Sequence, residues 1–259
     1  MDLVEVSGAA HRRHPWEVAR ARFFKRVLVD AGVLAGAGRV LDVGAGDGFL
    51  AAGLLEAMPA GSQVVALDSN YTDEDLRRLT EAAPRGLSFA RQVPPERFDV
   101  ILMLDVIEHV PDDRAFLGEF LAGSLAPGGV VLVSVPAWQG LFSTHDTALK
   151  HYRRYSPRAC EALLADEGLV PIRAGGLFHS LLLPRALTVA REGLLRLIGK
   201  EPTAPDNLGA WRGGALLSSA LERALALDNA LTHALARRGR ALPGLSVWAL
   251  CRVRGGAPA

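Results

Sequence analysis

The stretch Arg39-Val40-Leu41-Asp42-Val43-Gly44-Ala45-Gly46-Asp47-Gly48 constrains this chain more than any other. Its first half is short, apolar and rich in valine, which reads as a buried strand. Its second half carries three glycines at alternate positions, where the backbone is free to take positive φ and a ligand can approach the main chain. Phe49 to Ala57 follows in a helical pattern. Strand, glycine turn and helix form the nucleotide-binding opening of a doubly wound α/β sheet. The next strand, Gln63 to Leu67, ends on Asp68, an acid placed to accept both hydroxyls of a ribose.

Spacing separates two ligand classes. A dinucleotide fingerprint is G-x-G-x-x-G, whose third glycine permits tight helix–strand packing. Here the pattern is G-x-G-x-G, and Phe49 stands where the third dinucleotide glycine belongs. That bulk disfavours a pyrophosphate on the helix N-terminus. The stretch resembles the first motif of the class I S-adenosylmethionine (SAM) methyltransferases. The resemblance implies that Asp42, Gly44, Ala45, Gly46 and Gly48 cradle SAM, that Asp68 and Ser69 hold its ribose, and that S-adenosylhomocysteine is the product. Two further motifs extend the likeness over residues 39–136. Phe98 to Leu104 is a fourth apolar strand running into Asp105-Val106-Ile107-Glu108-His109-Val110-Pro111-Asp112-Asp113, which implies that Asp105 and Val106 lie beside the cofactor. Pro127-Gly128-Gly129 followed by Val130 to Val135 resembles the family's turn and fifth strand. Family members commonly carry an acid for the adenine amino group after the third strand, here Leu87 to Ala90. This chain has Arg91 and Gln92 there, and Gln92 is the expected substitute. His109 is a candidate catalytic base, and the preferred reading is that Glu108 and His109 cap or anchor the loop that follows.

The bulk properties exclude several classes. With 259 residues, 49% of them hydrophobic, the chain is long and apolar enough for one large domain. A net charge of +1 gives no general electrostatic argument for nucleic acid. Cys160 and Cys251 match no metal spacing and fit a reducing compartment, so a cytoplasmic location without metal is expected. The start of the chain lacks a basic-then-apolar signal pattern, and no apolar run approaches the ~20 residues of a membrane span.

Along the chain, residues 1–13 read as a loose start and residues 14–34 as an N-terminal lid helix opened by Pro15. Trp16, Ala19, Phe23 and Val27 recur at helical spacing, a stripe that suits the core or, through Trp16, the cofactor. After the fifth strand comes Phe142 to Tyr155, dense in ionisable side chains where a mere connection would carry turn residues. His145 is the first candidate general base, His151 the second, with Asp146 as their acidic neighbour. Arg153, Arg154 and Tyr155 are candidate acceptor contacts. A structural ion network is the competing reading of this loop. The SAM-binding core is expected over residues 39–175 and a helical cap over 176–243, followed by a last strand at 244–253. In the cap, Arg185, Glu192 and Arg196 share one face of the first helix, opposite Leu183, Leu187, Leu194 and Ile198. In the second cap helix, Leu217, Leu221, Ala224, Leu225, Leu231 and Leu235 form one face with Asp228 in its middle. Asp228 is expected to pair with Arg185 or Arg196, or to meet the acceptor.

The reading is a seven-stranded, mostly parallel α/β sheet with a helical cap, moving a methyl group from SAM to a small, largely apolar acceptor, with oxygen favoured over carbon or nitrogen. An NAD-dependent oxidoreductase and a non-catalytic binding protein, in contact with a membrane surface through the cap, are the alternatives. The oligomeric state is not legible.

Overall fold

The computed structural model describes residues 13–203, 211 and 213–255. Nearly all of the expected loose start, and half of the 199–214 loop, lie outside the described residues. Seven strands, β1 Arg39–Val43, β2 Gln63–Leu67, β3 Leu87–Ala90, β4 Phe98–Leu104, β5 Leu125–Pro136, β6 Leu169–Leu177 and β7 Ser246–Val253, form one sheet in the order β3-β2-β1-β4-β5-β7-β6. β7 runs antiparallel to both its neighbours, and the other pairs are parallel. The mostly parallel doubly wound sheet is therefore as expected. β5 starts five residues earlier than the valine run, and the register shift between Phe98 and Val100 absorbs Pro127-Gly128-Gly129.

Nine described helices flank the sheet: α1 Pro15–Asp30, α2 Val33–Gly36, α3 Phe49–Leu55, α4 Asp73–Ala82, α5 Asp113–Ser124, α6 Thr144–Ala148, α7 Pro157–Asp166, α8 Leu182–Leu197 and α9 Ala215–Ala236. Their starts follow from local chemistry. Thr72 and Asp75 form a reciprocal capping box at α4, and Ser156 accepts from Ala159 N–H to begin α7 at Pro157. Successive side chains of a strand face opposite sides, so β4 serves two cores at once. Val100, Leu102 and Leu104 pack with Phe23, Phe24 and Trp248 on one face, and Ile101 and Met103 pack with Leu117 and Leu163 on the other. Phe23, of the predicted apolar stripe, sits edge-on to the fully buried Trp248, with ring centroids 5.3 Å apart.

The cap helices pack with an orientation that periodicity does not dictate. α8 divides into polar and apolar faces as expected, but its polar side turns inward. Arg185 reaches Asp146, and Glu192 accepts from Thr144 N–H and Oγ1 at 3.1 and 2.8 Å. Leu183, Leu187 and Leu194 remain exposed. α9 buries Ser218, Leu225, Asn229, Thr232, His233 and Ala236, so of the expected leucine face only Leu225 is fully buried, while Leu217 and Leu231 are exposed. The reason lies in α1, against which it packs: Asn229 Nδ2 donates to Ala19 O at 3.1 Å, and His233 Nε2 lies 3.2 Å from Asp30. Asp228 is half-buried but meets no arginine among the described residues. It accepts from His179 N–H, Ser180 N–H and Ser180 Oγ at 3.3, 2.9 and 2.6 Å, and so caps the turn that leads into α8. Arg196 pairs instead with Glu192 of its own helix.

Asp42 is the polar exception in β1, 4% exposed. Burial pushes its carboxyl up to about 7, against the opposing Arg20 charge. The folded protein holds this proton more tightly than the unfolded chain. The associated stability is complete below the ordinary value near 3.8 and is lost as pH rises to about 7. Asp42→Asn removes that slope. Its stability relative to wild type is expected to climb between pH 4 and 7, by at most about 1.4 kcal/mol per pH unit, read as a rising difference in melting temperature. A constant difference across that range would mean that Asp42 is ionised in the fold.

Candidate active site

The carboxyl ends of the parallel strands open into a cleft of about 1410 Å³. That exceeds the ~300–1,000 Å³ of a typical small-molecule site and leaves room for two ligands. At one end lies the glycine loop. Gly44 and Ala45 N–H both donate to Leu67 O, at 2.7 and 3.1 Å, and Tyr71 Oη donates to Gly46 O at 2.6 Å, so the loop is tied to the end of β2. Gly44 has φ +67°, and a Cβ there would come 2.8 Å from Val106 Cγ2. Glycine thus keeps a backbone channel open between β1 and β4. At Gly48, φ +74°, a Cβ would strike the Phe89 ring, so this glycine serves packing behind the loop.

Asp68 sits at the end of β2, 7% exposed, and accepts from Gly46 N–H at 3.2 Å and Asn70 N–H at 2.9 Å. Ser69, Asp105 and Val106 line the cleft with it. Asp105 takes a positive φ of 58°, uncommon outside glycine. Its carboxylate is held by Arg20 of α1 and by Ser134 Oγ at 3.3 Å. Trp16, one turn before Arg20, lines the same wall beneath that guanidinium. His14 accepts from Trp16 N–H to cap α1, and burial pushes its imidazole down to about 4. His14 and Arg20 were not singled out from sequence, although Arg20 lies at i+4 from Trp16 on the helix, the spacing of neighbours on one face.

Several expected cofactor residues sit elsewhere. Asp42, Ala45, Gly46 and Gly48 are not among the lining residues: Asp42 is buried within β1, Ala45 and Gly46 bond through their N–H groups to Leu67 and Asp68, which do line it, and Gly48 packs against Phe89. Gln92 is exposed outside it, because the chain leaving β3 turns Arg91 and Val93 to the cleft instead.

The other end is built from the 143–155 segment. His145 lines the cleft, and burial together with the nearby Arg185 charge holds its imidazole below the usual value. His151 also lines it. Asp146 does not: it is fully buried behind both. Ser143 N–H and the His151 Nδ1–H donate to it at 2.9 Å, Arg154 Nε donates at 2.7 Å, and Arg185 reaches it from α8. Burial opposes its ionisation, but the His151 hydrogen bond and the Arg154 charge outweigh that and hold the carboxyl far below the usual range. The histidine bonded to Asp146 is therefore His151, five residues on, not the adjacent His145. Arg154 both binds Asp146 and lines the cleft. Arg153 and Tyr155 leave it. Both converge on Asp113 at the start of α5, at 2.9 and 2.6 Å, because the Tyr155 ring is drawn into the core.

Glu108 departs furthest from its expected role. Its side chain caps nothing among the described residues: both carboxylate oxygens are buried with no hydrogen-bond partner there. Only its backbone anchors the loop, with Glu108 O accepting from Tyr152 N–H at 2.8 Å. Burial, reinforced by Asp105, raises its carboxyl well above the usual range. His109 follows it, edge-on to His151 at 4.6 Å between centroids.

Comparison with known proteins shows the family. A family model described as a methyltransferase domain matches residues 9–174. A ubiquinone biosynthesis O-methyltransferase from Bradyrhizobium sp. (strain ORS 278) is 34% identical over 122 residues, covering 45% of this chain and 46% of that protein. This chain spans about half the length of the curated relatives it matches. Among solved structures, the [4+2]-cyclase SpnF is similar over 97% of this chain and 90% of its own, with a TM-score of 0.53 and 14% identity. An O-methyltransferase family protein from Burkholderia thailandensis is similar over 60% of this chain and 52% of its own, with a TM-score of 0.50 and 20% identity. At such identities the structural likeness is one of fold.

Removing one partner of a buried ion pair typically costs about 3–5 kcal/mol. Asp146→Asn is therefore expected to lower the melting temperature by roughly 10 °C for a chain of this size. A change of a degree or two would show that Arg154, Arg185 and His151 do not depend on it.

Proposed function

The chain belongs to the class I SAM-dependent methyltransferases, and from that premise we propose that it methylates an oxygen of a small acceptor bound at the His145 end of the cleft. The observation that carries this reading is the polarity of the cleft along its length. A glycine loop and a ribose-type acid stand at one end, and a neutral imidazole stands at the other. The names of the curated relatives support oxygen as the methylated atom.

SAM supplies an electrophilic methyl on a sulfonium, so that the acceptor oxygen gains a bond to carbon, the carbon–sulfur pair returns to sulfur, and the hydroxyl proton needs a base. Gly44 offers the backbone channel for it and Asp68 the carboxylate for its ribose, with Ser69, Asp105, Val106 and Trp16 as the remaining wall. Asp42, behind the loop, supports β1 rather than touching ligand. His145, neutral near pH 7, takes the acceptor proton. Arg154 presents a fixed positive charge to a polar group of the acceptor. Arg153, Tyr155 and Asp228 hold the frame. Much of the rate comes from alignment of acceptor and methyl within a closed site. The helices between β6 and β7 form a cap whose inward polar face keeps the 143–155 segment in place.

Two substitutions test the reading. Asp68→Asn, with its melting temperature unchanged, is expected to weaken SAM binding about ten- to a hundredfold, the ~1.5–3 kcal/mol of a hydrogen bond to a charged group. His145→Ala is expected to lower turnover on an O-acceptor by about 10²–10⁴-fold at unchanged SAM affinity, with partial recovery at higher pH. Full turnover in His145→Ala would leave positioning alone as the source of rate.

A further inference from the structure

We propose that Glu108, His109 and His151 form a binding site for one divalent first-row transition-metal ion at the acceptor end of the cleft. One carboxylate oxygen of Glu108 and one ring nitrogen of each histidine lie within 4.8 Å of one another. All three residues line the cleft, so coordination positions remain open on the side where an acceptor would sit.

The independent observation is Glu108 itself. Its side chain is fully buried, and neither carboxylate oxygen has a hydrogen-bond partner among the described residues. A buried carboxylate in that state is costly, and natural proteins rarely retain one without a partner. A cation between Glu108 and the two imidazoles supplies that partner.

Geometry supports the same assignment from the other side of the site. His151 Nδ1–H is committed to Asp146 at 2.9 Å, which leaves Nε2 with its lone pair for a metal. A ligating histidine whose other nitrogen is held by a carboxylate is the usual second layer of a metal site, fixing tautomer and ring direction. The Tyr152 N–H to Glu108 O bond clamps the two contributing segments together. Donor atoms around an ion at ~2.0–2.1 Å lie about 3–3.5 Å apart, so from within 4.8 Å the cluster closes by no more than about 1.8 Å on binding. Asp105 and Asp146 balance the Arg20 and Arg154 charges nearby.

Two imidazoles and one carboxylate favour Mn(II), Fe(II), Co(II) or Zn(II) over Mg(II) or Ca(II), which prefer all-oxygen sets. The use of the ion rests on the O-methyl transfer reading. An acceptor hydroxyl bound at an open position loses its proton more readily, and His145, which is not a ligand, is placed to receive it.

The test uses the full chain without an affinity tag, stripped of metal and titrated with Co(II) chloride while its visible absorption is followed. One equivalent is expected to bind with a tetrahedral or five-coordinate spectrum. His109→Ala and Glu108→Gln are each expected to weaken uptake about tenfold or more, and an equal concentration of Mg(II) is not expected to displace the ion. Absence of binding at millimolar Co(II) overturns the site, as does equal uptake by wild type and His109→Ala, a substitution on a partly exposed turn that is read even if Glu108→Gln fails to fold. Displacement by Mg(II) overturns the choice of ion. The titration needs neither SAM nor acceptor, so its failure leaves O-methyl transfer standing. No turnover of hydroxyl acceptors by the wild-type chain with Co(II) uptake intact removes that reading alone, and full turnover in His145→Ala removes only His145 as the base.

Discussion

The acceptor end of the cleft depends on one buried carboxylate. Asp146 has no exposed surface, yet it stays ionised because four donors from three different places converge on it. Ser143 N–H fixes the start of α6, His151 and Arg154 fix the return of the loop, and Arg185 fixes α8. A buried charge is tolerable only when its hydrogen bonds are complete, and the same requirement makes its geometry nearly unique. Loop, cap and cleft wall are thereby set relative to one another by a single atom group.

This explains the inverted packing of α8. A helix with a leucine face normally buries it. Here the electrostatic demand of Asp146, together with Glu192 accepting from Thr144, pulls the polar face inward, and Leu183, Leu187 and Leu194 are left outside. The helix has only one inward side, and the 143–155 segment beneath it is polar. At the opposite end of the cleft the constraint is steric rather than electrostatic. Gly44 keeps the approach beside Val106 open, and the loop's amides are satisfied by Leu67 and Asp68 at the end of β2. The glycine-loop end is made of backbone and the His145 end of side chains, and it is side chains that vary chemistry on a shared fold.

The sequence by itself determined the sheet. β1, β2, β3 and β4 lie where valine-rich runs and turn residues placed them, because strand formation and helix capping are governed by neighbours in the chain. It also determined the family and its cofactor, since the glycine spacing, Asp68 and the Asp105-Val106 pair are all local motifs. Within the polar segment it marked the right residues and left their roles open. Only the tertiary structure decided which ones meet. His151 bonds Asp146 although His145 is adjacent, Tyr155 leaves the cleft for the core, and Asp228 caps a turn instead of pairing with an arginine. Glu108 was legible as an acid but not as an unpartnered one, because a missing partner is a property of everything packed around a side chain. Ion pairing and burial in this cleft join residues tens of positions apart, and no period or spacing along the chain encodes that distance.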